Sequence, residues 1–173
     1  MSRAIPDEAR IVLEREASAE ALVWFVDITH PALGDQTIRA VSDGASYVLD
    51  GETYLASGLE VAAVSDDGEP PKAVLRVPNV DRRAFMMLKD VADPAQVRCR
   101  LISTVYFSLT ADPRTVRAGM TVEPVFDQDR LFLTDVTIDA VEMSGTINGY
   151  DYRKEAYPNL TASRRNLPGI YVR

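Results

Sequence analysis

Alternation of apolar and polar residues predicts that most of this chain folds as short β-strands. The clearest strand runs from Ala21 to Thr29 and has apolar side chains on both faces. One face carries Leu22, Trp24, Val26 and Ile28, and the other carries Val23 and Phe25. Because a strand that is apolar on both sides is buried twice, we expect a core on one side. The N-terminal helix or a neighbouring subunit would cover the other side.

The residues before this strand have the spacing of a helix. Pro6 suits the first helical position, because its missing N–H would be unpaired there in any case. Apolar residues then recur at helical spacing, at Ala9, Val12, Leu13 and Ala17. We predict a helix from Pro6 to about Glu16 that packs on the outside of a sheet.

A second helix is predicted in the middle of the chain. A short strand, Ala73–Val77, ends at Pro78. Asp81 follows, and its side-chain oxygen can cap the first turn of a helix that runs towards Met87 and Leu88.

Turn residues divide the first half of the chain into hairpins. Asp50-Gly51 separates two runs of β-forming residues at 47–49 and 52–55, and this dipeptide is typical of a two-residue hairpin turn. Further strands are predicted at Thr37–Val41 and Leu59–Val64, the latter returning through an acidic loop into Ala73–Val77.

The segment from Gln96 to Leu109 alternates strictly, which predicts one buried and one partly exposed face. We assign to the core Val97, Cys99, Leu101, Ser103 and Val105. We assign to the partly exposed face Arg98, Arg100, Ile102, Thr104 and Tyr106.

Further strands are expected towards the C-terminus. Thr121–Phe126 is a candidate strand, with a turn at Asp127-Gln128-Asp129. Residues 131–147 read as one strand that bends near Asp139 or as two strands joined tightly.

Many short strands with two helices predict a mainly β, α+β fold, a split β-barrel or sandwich. Residues 1–150 would form this domain, and residues 151–173 an extended basic arm.

Composition narrows the class of protein. The chain has 46% hydrophobic residues and a net charge of −7, which fits a globular domain and argues against general binding of nucleic acid. No apolar run reaches the length of a membrane span. Acidic residues near the N-terminus, where a signal peptide has an apolar core, predict no export.

Few residues offer catalytic chemistry. A nucleophile–histidine pair would have to use His30, the one histidine, which we interpret as a turn residue. Cys99, the one cysteine, is interpreted as a small buried side chain. Acidic groups occur at 66–69 and at Asp127, Asp129, Asp135 and Asp139, but neither has the spacing of a calcium loop. We therefore expect no catalytic residue, no cofactor and no metal.

Basic residues are concentrated in two pairs and in the C-terminal arm. The pairs are Arg82-Arg83 and Arg164-Arg165. Arginine is favoured in interface ion pairs, so we predict a subunit interface. A solvated face and a nucleic-acid contact are the alternatives.

Several segments, in this order, resemble a family of small phage tail proteins of unknown function found beside the tail-tip genes of lambda-like siphophages. They are the acidic helix 6–16, Leu-Val-Trp-Phe-Val-Asp-Ile-Thr-His-Pro at 22–31, Ile-Arg-Ala-Val-Ser-Asp at 38–43, the Tyr47–Tyr54 hairpin, Pro-Pro-Lys-Ala-Val-Leu-Arg-Val-Pro-Asn-Val-Asp-Arg at 70–82, Tyr157-Pro158 and Asn-Leu-Pro-Gly-Ile-Tyr at 166–171.

The resemblance implies a structural subunit of the tail tip or baseplate, with a barrel of the tail-tube or hub type. It would form a trimeric or hexameric ring between the tail tube and the central hub or fibre. Its partners would be copies of itself, the distal tail or tube proteins and the hub or fibre, with DNA only passing through the lumen. It would be located in the virion after assembly in the host cytoplasm. Some larger tail-tip relatives hold an iron–sulfur cluster on several cysteines, a feature that one cysteine excludes here.

We predict the subunit interface at Val23, Phe25, Arg82, Arg83, Arg153, Lys154, Tyr157, Arg164, Arg165 and Tyr171. Two other functions are kept as alternatives. One is a tail-associated cell-wall hydrolase, which would need convergent acids or His30 beside Cys99. The other is a carbohydrate-binding β-module that uses Tyr150, Tyr152 and Tyr157 as a platform.

Overall fold

A computed structural model describes residues 5–15, 20–34, 37–61, 72–78, 93–138 and 142–149. Its helices are α1 (Asp7–Glu14) and two 3₁₀ helices, Pro31–Leu33 and Thr104–Tyr106. Its strands are β1 (Leu22–Thr29), β2 (Ile38–Val41), β3 (Tyr47–Leu49), β4 (Glu52–Ala56), β5 (Glu60–Val61), β6 (Lys72–Pro78), β7 (Ala95–Ser103), β8 (Arg114–Thr115), β9 (Phe126–Ile138) and β10 (Glu142–Asn148). No helix within these ranges is long and apolar enough to cross a membrane.

The described strands form one ten-stranded sheet that curls into a half-barrel. Their order is β5-β6-β10-β9-β7-β1-β2-β4-β3-β8. Neighbours are antiparallel except for the parallel pairs β2–β4 and β3–β8. The mainly β class predicted from the sequence is confirmed.

The first core covers one face of the sheet. It receives Val26 and Ile28 from β1, whose side chains are 1% exposed. Strands β6, β7, β9 and β10 supply most of the rest, including Leu75, Val97 and Leu131. On β10, Gly145 lies under Leu133, where an added Cβ would come 2.7 Å from Leu133 Cδ1. A larger residue at this position would therefore displace the Leu133 side chain from its place in the core.

A second, aromatic core covers the other face of β1. Val23 and Phe25 are 4% and 0% exposed in the single chain. The Phe25 ring packs against Tyr47, Tyr54 and Phe107 with centroids 5.1–5.7 Å apart. The double burial of β1 is confirmed, but hairpin β3–β4 and the segment after β7 provide the cover. The prediction that a neighbouring subunit contacts Val23 and Phe25 is therefore corrected, since both side chains lie inside the chain.

The same core changes the interpretation of β7. The predicted exposed face contains Arg100, Ile102 and Tyr106, yet these residues are 7%, 1% and 3% exposed. The register pairs Phe25 with Arg100 and Val23 with Ile102, so these side chains point into the aromatic layer. Only the end of β7 at Gln96 and Arg98 stays exposed. The β7 strand also ends at Ser103, where a 3₁₀ helix replaces the predicted continuation.

Helix α1 agrees with the prediction in its extent. Ala9 and Val12 are buried, and the helix contacts the 3₁₀ helix Thr104–Tyr106. Leu13, which we predicted in the buried stripe, is 52% exposed. Eight residues make about two helical turns. The buried face of the helix is therefore narrow and holds Ala9 and Val12.

The C-terminal half departs from the sequence prediction at one turn. Asp127, Gln128 and Asp129 lie within β9, and residues 121–125 are not a strand. Pairing with β7 keeps Asp127 and Gln128 extended, since they lie opposite Arg100 and Cys99, and the register shifts just after them. The two-strand interpretation of residues 131–147 is confirmed, because β9 and β10 pair antiparallel.

The Asp50-Gly51 hairpin is confirmed, with φ of 55° and 81° at its two turn residues. Strands β5 and β6 also pair antiparallel. The acidic loop, the central helix at 79–92 and the arm at 151–173 lie outside the described residues.

Candidate functional site: a charged groove beside the aromatic core

A groove of about 360 Å³ crosses the sheet face that carries the aromatic core. We call it the charged groove, and its charged wall includes Asp27, Arg39, Asp50, Glu52, Arg98 and Arg100. The register explains why charges meet there, because Asp27 of β1 lies between Arg98 of β7 and Arg39 of β2. Paired residues on neighbouring strands point to the same face.

Arg100 is the centre of this groove, and its side chain is 9% exposed. One amino group donates to Asp50 Oδ2 at 2.9 Å, and the other donates to Asp27 Oδ2 at 3.2 Å and to the Tyr54 hydroxyl. Its guanidinium carbon also lies 5.6 Å from the centroid of the Tyr54 ring. Arg100 therefore ties the hairpin turn at Asp50 to the middle of the sheet.

Tyr54 completes this arrangement. Its hydroxyl donates to Asp27 Oδ1 at 2.7 Å. Burial, followed by the hydrogen bond to Asp27, raises the pKa of Tyr54 above its ordinary value of 10.0. The hydroxyl therefore stays protonated and keeps donating across the neutral pH range.

The same combination recurs at the other end of hairpin β3–β4. Arg114 donates to Asp43 Oδ2 at 2.5 Å and to the Tyr47 hydroxyl at 2.6 Å. Its guanidinium lies 5.3 Å from the Tyr47 ring centroid. Burial and the hydrogen bond to Asp43 raise the pKa of Tyr47 to about 12. Since Tyr47 and Tyr54 are cross-strand partners that both touch Phe25, two arginine–tyrosine–aspartate sets hold the hairpin on the aromatic core.

The ion pair between Arg98 and Asp127 is more exposed than the contacts of Arg100. Arg98 forms a two-pronged contact with Asp127, at 2.9 Å from Nε and 2.7 Å from the second nitrogen. This hydrogen bond lowers the pKa of Asp127. Arg98 and Arg100 thus both donate to carboxylates of the same chain, which is the chemistry of a structural clamp.

A known protein family covers most of this chain. The sequence model of a family described as a domain of unknown function, DUF1833, matches residues 8–162. The chain belongs to the DUF1833 family. No curated protein matches it. The family description assigns no activity, so the tail-tip function stays a prediction.

The structure separates the two catalytic candidates of this DUF1833 chain. Cys99 is fully buried in the first core and pairs with Val26, four residues along β1 from His30. His30 is 8% exposed, and its Nδ1 accepts a hydrogen bond from the Ala32 N–H at 2.9 Å. It therefore caps a 3₁₀ turn, which agrees with the interpretation as a turn residue. The described residues include no group of three His, Cys, Asp or Glu side chains that could hold a metal ion.

A second groove, of about 400 Å³, adjoins the charged groove and shares Thr29, Thr37 and Gln96 with it. Its wall also includes His30, Asp93 and Phe132. Of the predicted interface residues, Val23 and Phe25 lie in the core, and the others lie outside the described residues. They are Arg82, Arg83, Arg153, Lys154, Tyr157, Arg164, Arg165 and Tyr171.

The sequence prediction missed the contacts of Arg100 with Asp27, Asp50 and Tyr54, which we call the Arg100 cluster. The only signal was the alternation of Arg98 and Arg100 with apolar residues, and this spacing is shared by any exposed strand face. Knowing that β7 pairs with β1 would have placed Asp27 beside both arginines.

Burial raises the pKa of the Cys99 thiol from 9.0 to about 12, which gives a testable prediction. We expect thiol reagents at pH 8 to modify native Cys99 at least about a hundredfold more slowly than the unfolded chain. As the pH rises, the thiol ionises in the unfolded chain before it ionises in the folded chain. The stability that the buried, protonated thiol contributes is therefore present below pH 9 and is lost as the pH rises towards 12. A Cys99→Ala, Thr110→Cys variant provides an exposed control. Equal native and unfolded rates would contradict the burial.

Proposed function

We propose that this protein is a structural subunit of a bacteriophage tail tip or baseplate, in a ring between the tail tube and the central hub or fibre. The observation that carries the proposal is the resemblance of its ordered segments to small siphophage tail proteins. Four of those segments correspond to consecutive elements of the fold, α1, β1, β2 and hairpin β3–β4. The split barrel would be of the tail-tube or hub type.

The sheet has properties that a ring wall needs. Both faces of β1 are covered within one chain, and Arg100 and Arg114 tie the hairpin to that sheet. Packing and buried ion pairs of this kind favour a single rigid arrangement. The net charge of −7 would let DNA pass through a lumen, since like charges repel.

The ring would use surfaces other than the two cores. Copies of the chain and the neighbouring tube, distal tail, hub or fibre proteins would meet at the basic positions predicted from the sequence. Arg82, Arg83, Arg164 and Arg165 can pair with the acidic body of the next subunit. Assembly would take place in the host cytoplasm, and the finished subunit would be part of the virion.

Native mass spectrometry tests this proposal. The chain would be expressed alone and together with the proteins encoded beside its gene, and the masses of the purified complexes measured. We expect a three-fold or six-fold ring, alone or with a tail neighbour. An Arg164→Glu, Arg165→Glu variant should lose the ring while keeping the melting temperature of the parent chain.

Arg76→Glu, a change of an exposed β6 residue, is the matched control and should keep the ring. A chain that stays monomeric with every neighbour, and that is absent from purified particles, would refute the proposal.

A further inference from the structure

The second groove is built on a row of side chains that crosses three strands. Gln96 of β7 pairs with Phe132 of β9 on one side and with Thr29 of β1 on the other. Register partners point to the same face of a sheet, and all three residues line the groove. Two strand spacings give this row a length of about 10 Å, which is enough for one or two sugar rings.

Polar groups of this groove have unused hydrogen-bonding capacity. The side chains of Thr37, Asp93 and Gln96 line it and have no hydrogen-bond partner among the described residues. They offer a hydroxyl, a carboxylate and an amide, of which the hydroxyl and the amide both donate and accept. Such a set suits a ligand with several hydroxyl groups, because each of those groups also donates and accepts.

His30 adds a buried donor to the wall of the groove. The residue is 8% exposed, and its Nδ1 accepts a hydrogen bond from the Ala32 N–H, so the neutral ring carries its proton on Nε2. Within the part of the chain that the structure describes, the buried Nε2 has no partner. Buried polar atoms are normally paired, so this donor favours an oxygen-bearing occupant of the groove.

The charge of the groove narrows the class of ligand. Asp93 is the only Asp, Glu, Lys or Arg among the described residues that line it. A phosphate would find no cation there, and a metal ion would find a single carboxylate. The half-buried ring of Phe132 adds an aromatic surface. The C–H groups on one face of a pyranose pack well on such a ring, because its faces carry negative charge density.

We propose that the second groove binds a neutral saccharide of one or two pyranose rings, with Asp93 and Gln96 on its hydroxyl groups and Phe132 against one ring face. The volume of about 400 Å³ lies within the range of about 300–1,000 Å³ that small-ligand sites occupy. This site differs from the tyrosine platform considered from the sequence, since it is built from described strands.

The inference does not rest on the tail-tip proposal, because a free monomer would bind the sugar. The two are tested separately: the mass of the assembly reports on the ring, and a titration reports on the groove.

Titration of the isotope-labelled full chain with cellobiose, followed by the NMR shifts of backbone amides, tests the proposal. Cellobiose is a suitable probe, because its equatorial hydroxyl groups leave C–H groups on the ring faces. We expect a Kd of about 1 mM, since an open polar groove gives up bound water for each hydrogen bond that it makes. The largest shift changes should occur at Gly34, Thr37 and Gln96.

Variants of exposed residues locate the binding. Gln96→Ala should weaken it about tenfold, because both hydrogen bonds of the amide are lost. Asp93→Asn should weaken it about threefold, since a charged acceptor binds a hydroxyl more strongly than a neutral one. Thr53→Ala and Asp112→Asn change exposed residues that line neither groove and should leave the Kd unchanged. All four variants should keep the melting temperature of the parent chain, which separates loss of the site from loss of the fold.

Three results would overturn the proposal. Unchanged amide shifts with cellobiose, maltose and chitobiose at millimolar concentrations would exclude a neutral sugar. Tighter binding of choline or inorganic phosphate than of all three sugars would assign the groove to a charged ligand. Equal binding by Gln96→Ala and the parent chain would place the sugar outside the groove.

Discussion

Replacing Arg100 with methionine will lower the free energy of unfolding by about 3 kcal/mol, because it removes the nearer of the two arginines that pair with a largely buried carboxylate. Asp27 is the carboxylate affected, with a side chain that is 15% exposed. Tyr54 loses a donor at the same time, and the hairpin turn loses its contact through Asp50. Urea denaturation followed by circular dichroism measures the change.

Arg98→Met is the matched control, since it removes the same side chain two positions away on the same strand. Arg98 and Asp127 are 46% and 34% exposed, so their pair is screened by water and its loss should cost about 0.5 kcal/mol. Equal losses for Arg98→Met and Arg100→Met would show that the Arg100 cluster does not hold the hairpin.

Phe25→Ala will lower the free energy of unfolding by about 4 kcal/mol, because it opens a cavity at the centre of the aromatic core. Phe25 is 0% exposed and contacts three other rings. The difference in denaturation midpoint between Phe25→Ala and the parent chain should not depend on protein concentration, since these contacts lie within one chain.

Phe132→Ala provides the comparison, because that ring is only half-buried and its truncation should cost roughly 1 kcal/mol. A subunit-interface role for Phe25 makes the opposite prediction. Phe25→Ala would then leave the monomer stable and weaken only its self-association.

Local signals predicted the strands and hairpins well. The Asp50-Gly51 turn, the alternation around Trp24 and the proline that ends β6 act over a few residues, so their consequences can be predicted without knowing the fold. The turn predicted at 127–129 was wrong for the same reason. Three polar residues favour a turn locally, but pairing with β7 keeps Asp127 extended in β9.

Partners that are distant along the chain could not be predicted in this way. Arg100 contacts Asp50 and Asp27, which lie 50 and 73 residues away. Its burial depends on hairpin β3–β4 packing over β1 and β7, and a period-two pattern gives no information on which element covers a face. The interface prediction for Val23 and Phe25 failed on this point, because a second apolar face can be covered from inside the chain.

The amino-acid sequence alone therefore determined the class of the fold, the position of most strands and the hairpin turns, since these follow from side-chain alternation and backbone preference. Only the tertiary structure decided that the sheet has two cores and that Arg100, Tyr54 and Asp27 meet between them. The reason is that strand order and layering depend on long-range contacts, whose energies no local window of sequence contains.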